Sequence, residues 1–371
     1  MSDRPGFLFV TCQMGAEQAL KQELAVRWPL VRLAYSRPGF LTFKLPADHR
    51  WRADFHLGCV FGRAHGFSLG KASGSDADEL ARGVWQLYEA SGVGAPRRLH
   101  VWQSDTARPG EEAPASPVSG AAREAAERIR FHSPLGARLD ADAADPQRPA
   151  RPGELVLDCV LIPPGEWWVG YHQARSVASL WPGGVIHLDL PGDAVSRAWL
   201  KMEEALRWSR LPVAPGARWA EIGSAPGGSA QALLARGMTV LGIDPAEMHP
   251  AVLAHPRFTH LRKRASQVRR RVFRKIRWLA ADMNVAPQYT LDAVEAIVAH
   301  PEVHIRGMLL TLKLFEWELA AQVPEYLERV RGWGYNIVRA RQLFHNGQEV
   351  CVAALQKPFL RKPLRVGKNF D

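Results

Sequence analysis

Residues 221–231 read EIGSAPGGSAQ. An apolar run ends at Glu221. Glycine or proline then occupies positions 223, 226, 227 and 228, and QALLARG follows with the spacing of a short helix. A strand that breaks into such a turn and opens a helix lets a ligand approach the backbone closely, as at the first crossover of a doubly wound α/β sheet. A dinucleotide fingerprint, G-x-G-x-x-G, would need glycine where this chain has Ala225. A phosphate-gripping loop would need Gly-Lys-Ser/Thr, and none follows.

What remains is acid-x-Gly-x-x-Pro-Gly-Gly, formed by Glu221, Gly223, Pro226, Gly227 and Gly228. A carboxylate at the strand end suits a cationic ligand, because an ammonium pairs with it directly or through water. The next strand, MTVLGID, ends in Asp244, where a carboxylate accepts hydrogen bonds from both ribose hydroxyls of a nucleoside. An amino acid on one turn and a ribose on the next describe S-adenosylmethionine. The candidate cofactor residues are Ser196, Glu221, Gly223, Ala225, Pro226, Gly227, Gly228, Asp244 and Asp282.

Outward from this turn, 194–360 alternates regularly. A helix at 196–208, with Ser196 as its cap, precedes strands at 217–222, 239–243, 276–281 and 307–314. Strands at 335–345 and 349–356 then meet through Asn346-Gly347, a hairpin signal. The expected fold is α/β, a Rossmann-like parallel sheet ending in an antiparallel hairpin. Residues 1–178 mix strands at 7–12, 97–104, 155–163 and 166–172 with helices at 16–28, 77–91 and 121–131, and a hairpin at 31–45. That mixture predicts an α+β region. A Pro/Gly-rich linker at 179–193 separates the two, and a basic tail occupies 361–371.

The motif EIGSAPGGSAQ and the preceding SRAWLKMEE resemble the FtsJ-type RNA ribose 2′-O-methyltransferases. The whole architecture resembles the bacterial RlmM family, which modifies a cytidine ribose of 23S rRNA. The likeness is close through 194–356 and looser through 1–175. It implies a ferredoxin-like, THUMP-containing RNA-binding region at the N-terminus, and 23S rRNA or a large-subunit precursor as partner. It also implies a Lys-Asp-Lys-Glu tetrad: Lys201 in SRAWLK, Asp282 in WLAADM, Lys313 in LLTLKLF and Glu349 in GQEVCVA. In that family an acidic residue after the third strand lies near the adenine; here the position holds Arg264, so backbone groups around Ala265 or Ser266 would take its place.

The residue types suit the chemistry. A ribose hydroxyl is a poor nucleophile until it loses its proton, and the sulfonium methyl is already reactive, so activation and alignment of the oxygen are the main tasks. A lysine in the apolar strand MLLTLKL is hard to explain structurally. Lys313 is therefore the expected base, its pKa lowered by burial and by a second cation, Lys201, which also favours the alkoxide. Asp282 and Glu349 would align the amines. No metal is required.

The chain has 371 residues, 47% of them hydrophobic, and a net charge of +11, which points to a polyanionic partner. The run LRKRASQVRRRVFRKIR at 261–277 holds many Arg/Lys and no acid. Its Arg262, Lys263, Arg264, Arg269, Arg270, Arg271, Arg274 and Lys275 are candidate RNA contacts. Arg97-Arg98 and the tryptophans of strands 100–104 and 166–170 are weaker candidates, since tryptophan is more often core. Four dispersed cysteines with no C-x-x-C pair, no signal peptide and no apolar run of membrane-spanning length suggest a cytoplasmic protein. Two competing readings are a base or protein methyltransferase and a non-catalytic rRNA-binding factor. The first usually shows an Asn/Asp-Pro-Pro-aromatic loop after the fourth strand, where this chain has DMNVAP. The intact tetrad argues against the second.

Overall fold

A computed structural model describes residues 5–356, except 49–50, 108–110, 112–115, 135–138, 141, 144 and 146–147; the basic tail falls outside the described residues. The first sheet comprises β1 (Phe7–Thr11), β2 (Arg32–Arg37), β3 (Phe40–Lys44), β4 (Ala64–Lys71), β5 (Arg98–Gln103), β6 (Leu155–Ile162) and β7 (Glu166–Gln173). Their spatial order is β2-β3-β1-β4-β7-β6-β5, and every pair is antiparallel except β5 with β6. Helices α1 (Glu17–Arg27), α2 (Ala77–Ala90) and α3 (Gly120–Phe131) cover one face. Leu20, Val84, Trp85 and Ile129 of these helices share a core with Leu8, Phe67 and Leu157 of the sheet. Asp76 and Ser119 cap α2 and α3 by accepting from the amides of Glu79 and Ala122.

The opposite face carries Phe9, Phe40, Trp102, Val160 and Ile162. Trp102 and Trp167 are thus core residues and not RNA contacts, and Trp168 packs on Tyr35 and Phe40. Arg98 is also buried, its guanidinium facing Asp140, Asp142 and Glu154, so only Arg97 of that pair reaches solvent.

The second sheet follows α4 (Ala198–Ser209). It is built in chain order from β8 (Arg218–Ile222), α5 (Gly228–Ala235), β9 (Thr239–Ile243), α6 (Pro250–Leu253) and β10 (Phe258–Leu261). The chain continues through β11 (Trp278–Asp282), α7 (Pro287–Val298), β12 (Gly307–Lys313), α8 (Val323–Gly332), β13 (Ile337–Arg341) and β14 (Glu349–Leu355). The order is β10-β9-β8-β11-β12-β14-β13, parallel up to β12, with β14 antiparallel between β12 and β13. Alternation sorts the two faces: Trp219, Ala280 and Leu309 meet α4 and α5, whereas Leu279, Ala281 and Leu310 share a core with α7 and α8.

Two expectations are corrected here. Ser196 does not cap α4: the cap is Arg197, and the Ser196 hydroxyl is buried without a hydrogen-bond partner. Asn346-Gly347 is not a two-residue turn, because β13 ends at Arg341 and residues 342–348 form a longer connection. Within it Gln342 and Asn346 are buried, and Glu349 pairs with Lys313 of β12 instead of continuing the β13 ladder. The basic run spans several short elements. It comprises the end of β10, two 3₁₀ turns at Ala265–Gln267 and Arg270–Lys275, and the approach to β11.

Candidate active site

β8 and β11 lie side by side where the strand order reverses, the position at which doubly wound sheets bind ligands beyond their carboxyl ends. Gly223 leaves β8 at φ +77, and a Cβ there would sit 2.2 Å from the carbonyl oxygen of Asp282, so the two strand ends meet backbone to backbone. Gly227, at φ +118, starts α5, and a Cβ on Gly228 would lie 2.2 Å from Ser196 Oγ. Ser196 is thus a packing neighbour of the turn.

The carboxylates converge on this turn. Asp244 accepts from Ala225 N at 3.1 Å and from Ala246 N at 2.8 Å, tying the first turn to the second. Pro226 closes the turn by accepting from His249 N at 2.9 Å. Glu221 is buried and accepts from Ser224 Oγ at 2.8 Å. Burial pushes its pKa up to about 7; the Ser229 and Ser224 hydroxyls oppose the rise, and Asp282 and Asp244 add to it. A buried carboxylate beside two more is short of positive charge, so the donor set fits a ligand that brings an ammonium and a sulfonium.

The tetrad closes on itself at the same edge. Lys201 reaches Glu349 and lies 3.9 Å from Asp282 Oδ2; Lys313 reaches Glu349 and lies 2.9 Å from Asp282 Oδ1. Each amine therefore touches both carboxylates. Register explains the meeting: Lys313 is the direct partner of Glu349, and Asp282 is the direct partner of Thr311, two residues before Lys313. Lys201 comes from α4, which packs over β8 and β14. Glu349 is the most buried of the four side chains at 5% exposure, and the two lysines are at 27% and 18%.

The direction of one shift overturns the sequence expectation. Burial does lower the Lys313 pKa, but Asp282 and Glu349 outweigh it, so the amine is raised above its ordinary value. The expectation had Asp282 and Glu349 aligning the amines but weighed only burial and Lys201 in setting the pKa, not the pull of those two carboxylates.

Sequence reasoning missed Asn346, Thr311 and Cys351, which line the cavity beneath the tetrad with Glu221 and Ser229. It also missed Glu204, whose buried carboxylate accepts from the amides of Phe344 at 3.0 Å and His345 at 2.9 Å and so holds the connection that delivers Glu349. An acidic residue on the buried side of an amphipathic helix was the available signal.

The basic run divides around the sheet. Arg262, Lys263 and Arg264 follow the carboxyl end of β10 and are exposed; Arg262 is 3.1 Å from Glu247. No acid stands at Arg264, whose amide donates to Gln267 Oε1 at 3.1 Å. Arg269 is exposed, and Arg270 is drawn back onto the carbonyls of Ala265 and Val268. Arg271, Arg274 and Lys275 line a cleft of about 580 Å³ with Arg218 and Thr239, toward the amino ends of the strands, and Arg274 pairs with Glu302.

Residues 194–326 match the family model described as FtsJ-like methyltransferase, a family whose methyl donor is S-adenosylmethionine. The curated relatives are more particular. The Ribosomal RNA large subunit methyltransferase M of Halorhodospira halophila is 32% identical over 187 residues, covering 49% of this chain and 53% of that protein. The protein of the same name from Xanthomonas oryzae pv. oryzae is 27% identical over 374 residues, covering 94% of this chain and 99% of that one. Among solved structures, TrmN from Thermus thermophilus aligns over 95% of this chain and 99% of its own, with 15% identity and a TM-score of 0.35. Against the first of these relatives the matched region is about half of that protein's length. Among the described residues, no helix is long and apolar enough to cross a membrane.

Proposed function

We propose that this protein transfers the methyl group of S-adenosylmethionine to a ribose 2′-hydroxyl, that of a cytidine, in large-subunit ribosomal RNA. The observation that carries this reading is the closure of Lys201, Asp282, Lys313 and Glu349 into one cluster beside the glycine turn. The names of the curated relatives support the choice of ribosomal RNA.

Glu221 would hold the ammonium of the cofactor and Asp244 its ribose, while the bound sulfonium supplies a reactive methyl and a positive charge. Lys313, as the neutral amine, takes the hydroxyl proton. Lys201 places a second positive charge against the developing alkoxide. Asp282 and Glu349 keep both amines aimed at one oxygen. As the oxygen–carbon bond forms the sulfur–carbon bond breaks, and the proton remains on Lys313.

The test is transfer of labelled methyl to purified 23S rRNA, with 16S rRNA as control, followed by digestion to nucleosides. Label in 2′-O-methylcytidine from 23S rRNA alone is the expected result. Label on a base, or equal label in both RNAs, would refute the proposal.

A further inference from the structure

On the face of the first sheet away from its helices, His100 of β5, Asp158 of β6 and His172 of β7 stand on three neighbouring strands. His100 is directly opposite Asp158 in the parallel register. Their exposures are 2%, 0% and 9%. Nδ1 of His172 lies 2.6 Å from Asp158 Oδ2, and its Nε2 lies 2.8 Å from the carbonyl of Ser179. Neither ring nitrogen of His100 has a hydrogen-bond partner, and Asp158 Oδ1 has none. All three residues border a cavity of about 30 Å³, which His56 and His65 also line.

A cavity of that size admits one water or one small ion. Three features favour the ion. One donor atom from each of the three residues lies within 4.8 Å of the others. The Ser179 carbonyl accepts from Nε2–H of His172, the orienting contact that metal-bound histidines make, and an ion would displace the Nδ1 hydrogen that His172 donates to Asp158 Oδ2. His100, buried with both nitrogens free, is an unused imidazole ligand aimed at the same space. Two imidazoles and one carboxylate form a zinc-type donor set with the fourth position open to water, and imidazole selects zinc, cobalt or nickel over magnesium.

We propose that His100, Asp158 and His172 bind a single divalent transition-metal ion of the zinc class. The site belongs to the first sheet and takes no part in the lysine chemistry. Its ion joins β5, β6 and β7 and, through Ser179, fixes the segment that leads to Gly184. The Gly184 carbonyl in turn lies 3.5 Å from the guanidinium of Arg341, at the end of β13.

The experiment uses the full chain, stripped with a chelator, re-equilibrated with Zn²⁺, Co²⁺ or Mg²⁺ and desalted. The expected result is one retained zinc per chain by elemental analysis, a melting temperature raised by Zn²⁺ and unmoved by Mg²⁺, and visible d–d absorption with Co²⁺. His100→Phe, which fills the same space without a ligand atom, should melt like the stripped wild type and lose all three responses. If it fails to fold, His100→Gln takes its place. A wild-type chain that retains no zinc and shows no thermal shift overturns the proposal. So does zinc held as tightly by the His100 variant and by Asp158→Asn, which would put the ion elsewhere.

Discussion

Lys313 stands where burial and two carboxylates act in opposite directions, and the carboxylates win. Without ligand the amine is an ammonium, and its neutral fraction grows about tenfold per pH unit below its pKa. We therefore expect the single-turnover methyl-transfer rate to rise by roughly that factor per unit from neutral into alkaline pH; a flat profile would remove Lys313 as base. Replacing it with alanine should lower the rate by about 10²- to 10⁴-fold, the usual range for a positioned general base, with cofactor affinity nearly unchanged by calorimetry. Glu221 has the opposite consequence for the unliganded fold. Its folded pKa of about 7 exceeds the ordinary 4.5, so the stability it contributes is full below about 4.5 and is lost as pH rises through about 7. The loss is at most about 3 kcal/mol. Glu221→Gln should flatten that part of the stability-versus-pH curve, read by urea denaturation, and should weaken S-adenosylmethionine binding at pH 8. The four tetrad positions were read through the resemblance to the FtsJ-type family, and the fold brings their side chains together. The sign of the Lys313 shift was not, because it depends on carboxylates 31 to 36 residues away that only the β11-β12-β14 register brings into contact.

At the scale of elements, the site depends on how strands end. β8 and β11 terminate against each other at Gly223, where a side chain would meet the Asp282 carbonyl at 2.2 Å in a left-handed backbone conformation. Gly223→Ala should cost roughly 1–3 kcal/mol of stability from backbone strain, with added loss from displacing Asp282. The connection 342–348 is held from outside its own sheet. Gln342 reaches Gln13, its amide donates to Val60 O at 2.9 Å, and Glu204 accepts from Phe344 and His345. Glu204→Ala would strand the buried amide of Phe344 and the half-buried amide of His345, so about 1–3 kcal/mol is expected in denaturation, together with a fall in the transfer rate because Glu349 follows the connection. Periodicity marked β8, β9, β11 and β12 within two residues. It did not mark β4, whose AHGFSLGK holds two glycines and shows no clean alternation, nor the length of the 342–348 connection, where Asn-Gly imitates a tight turn. Tertiary contacts from Gln13, Val60 and Glu204 decide that loop, and no local pattern encodes them.

Over the whole molecule, the two sheets meet through buried contacts. Phe61 packs edge-on against Trp317 at 6.4 Å, and Arg341 donates to the Arg63 carbonyl. The net charge of +11 pointed to a polyanionic partner but said nothing of how the charge is distributed, and the 261–277 run divides between two edges of the second sheet. Arg262 and Lys263 adjoin the carboxyl edge, so their replacement by alanine should weaken RNA binding and alter transfer. Arg271 and Lys275 lie toward the amino edge. Replacing them should reduce affinity across RNA sequences, lowering the salt slope by about 0.7 for each lost phosphate contact, with the transfer rate at saturating RNA unchanged. Filter binding across a salt series, beside single-turnover rates, separates the two groups.

The most direct measurement of the central claim is where the methyl goes. Wild type and Lys313→Ala are each incubated with methyl-labelled S-adenosylmethionine and 23S rRNA, and the RNA is hydrolysed in alkali. Ribose 2′-O-methylation blocks cleavage at the modified nucleotide, so the label should appear in an alkali-resistant dinucleotide with wild type and be absent with the variant. Label released as ordinary mononucleotide, or undiminished with Lys313→Ala, would contradict ribose methylation through this lysine.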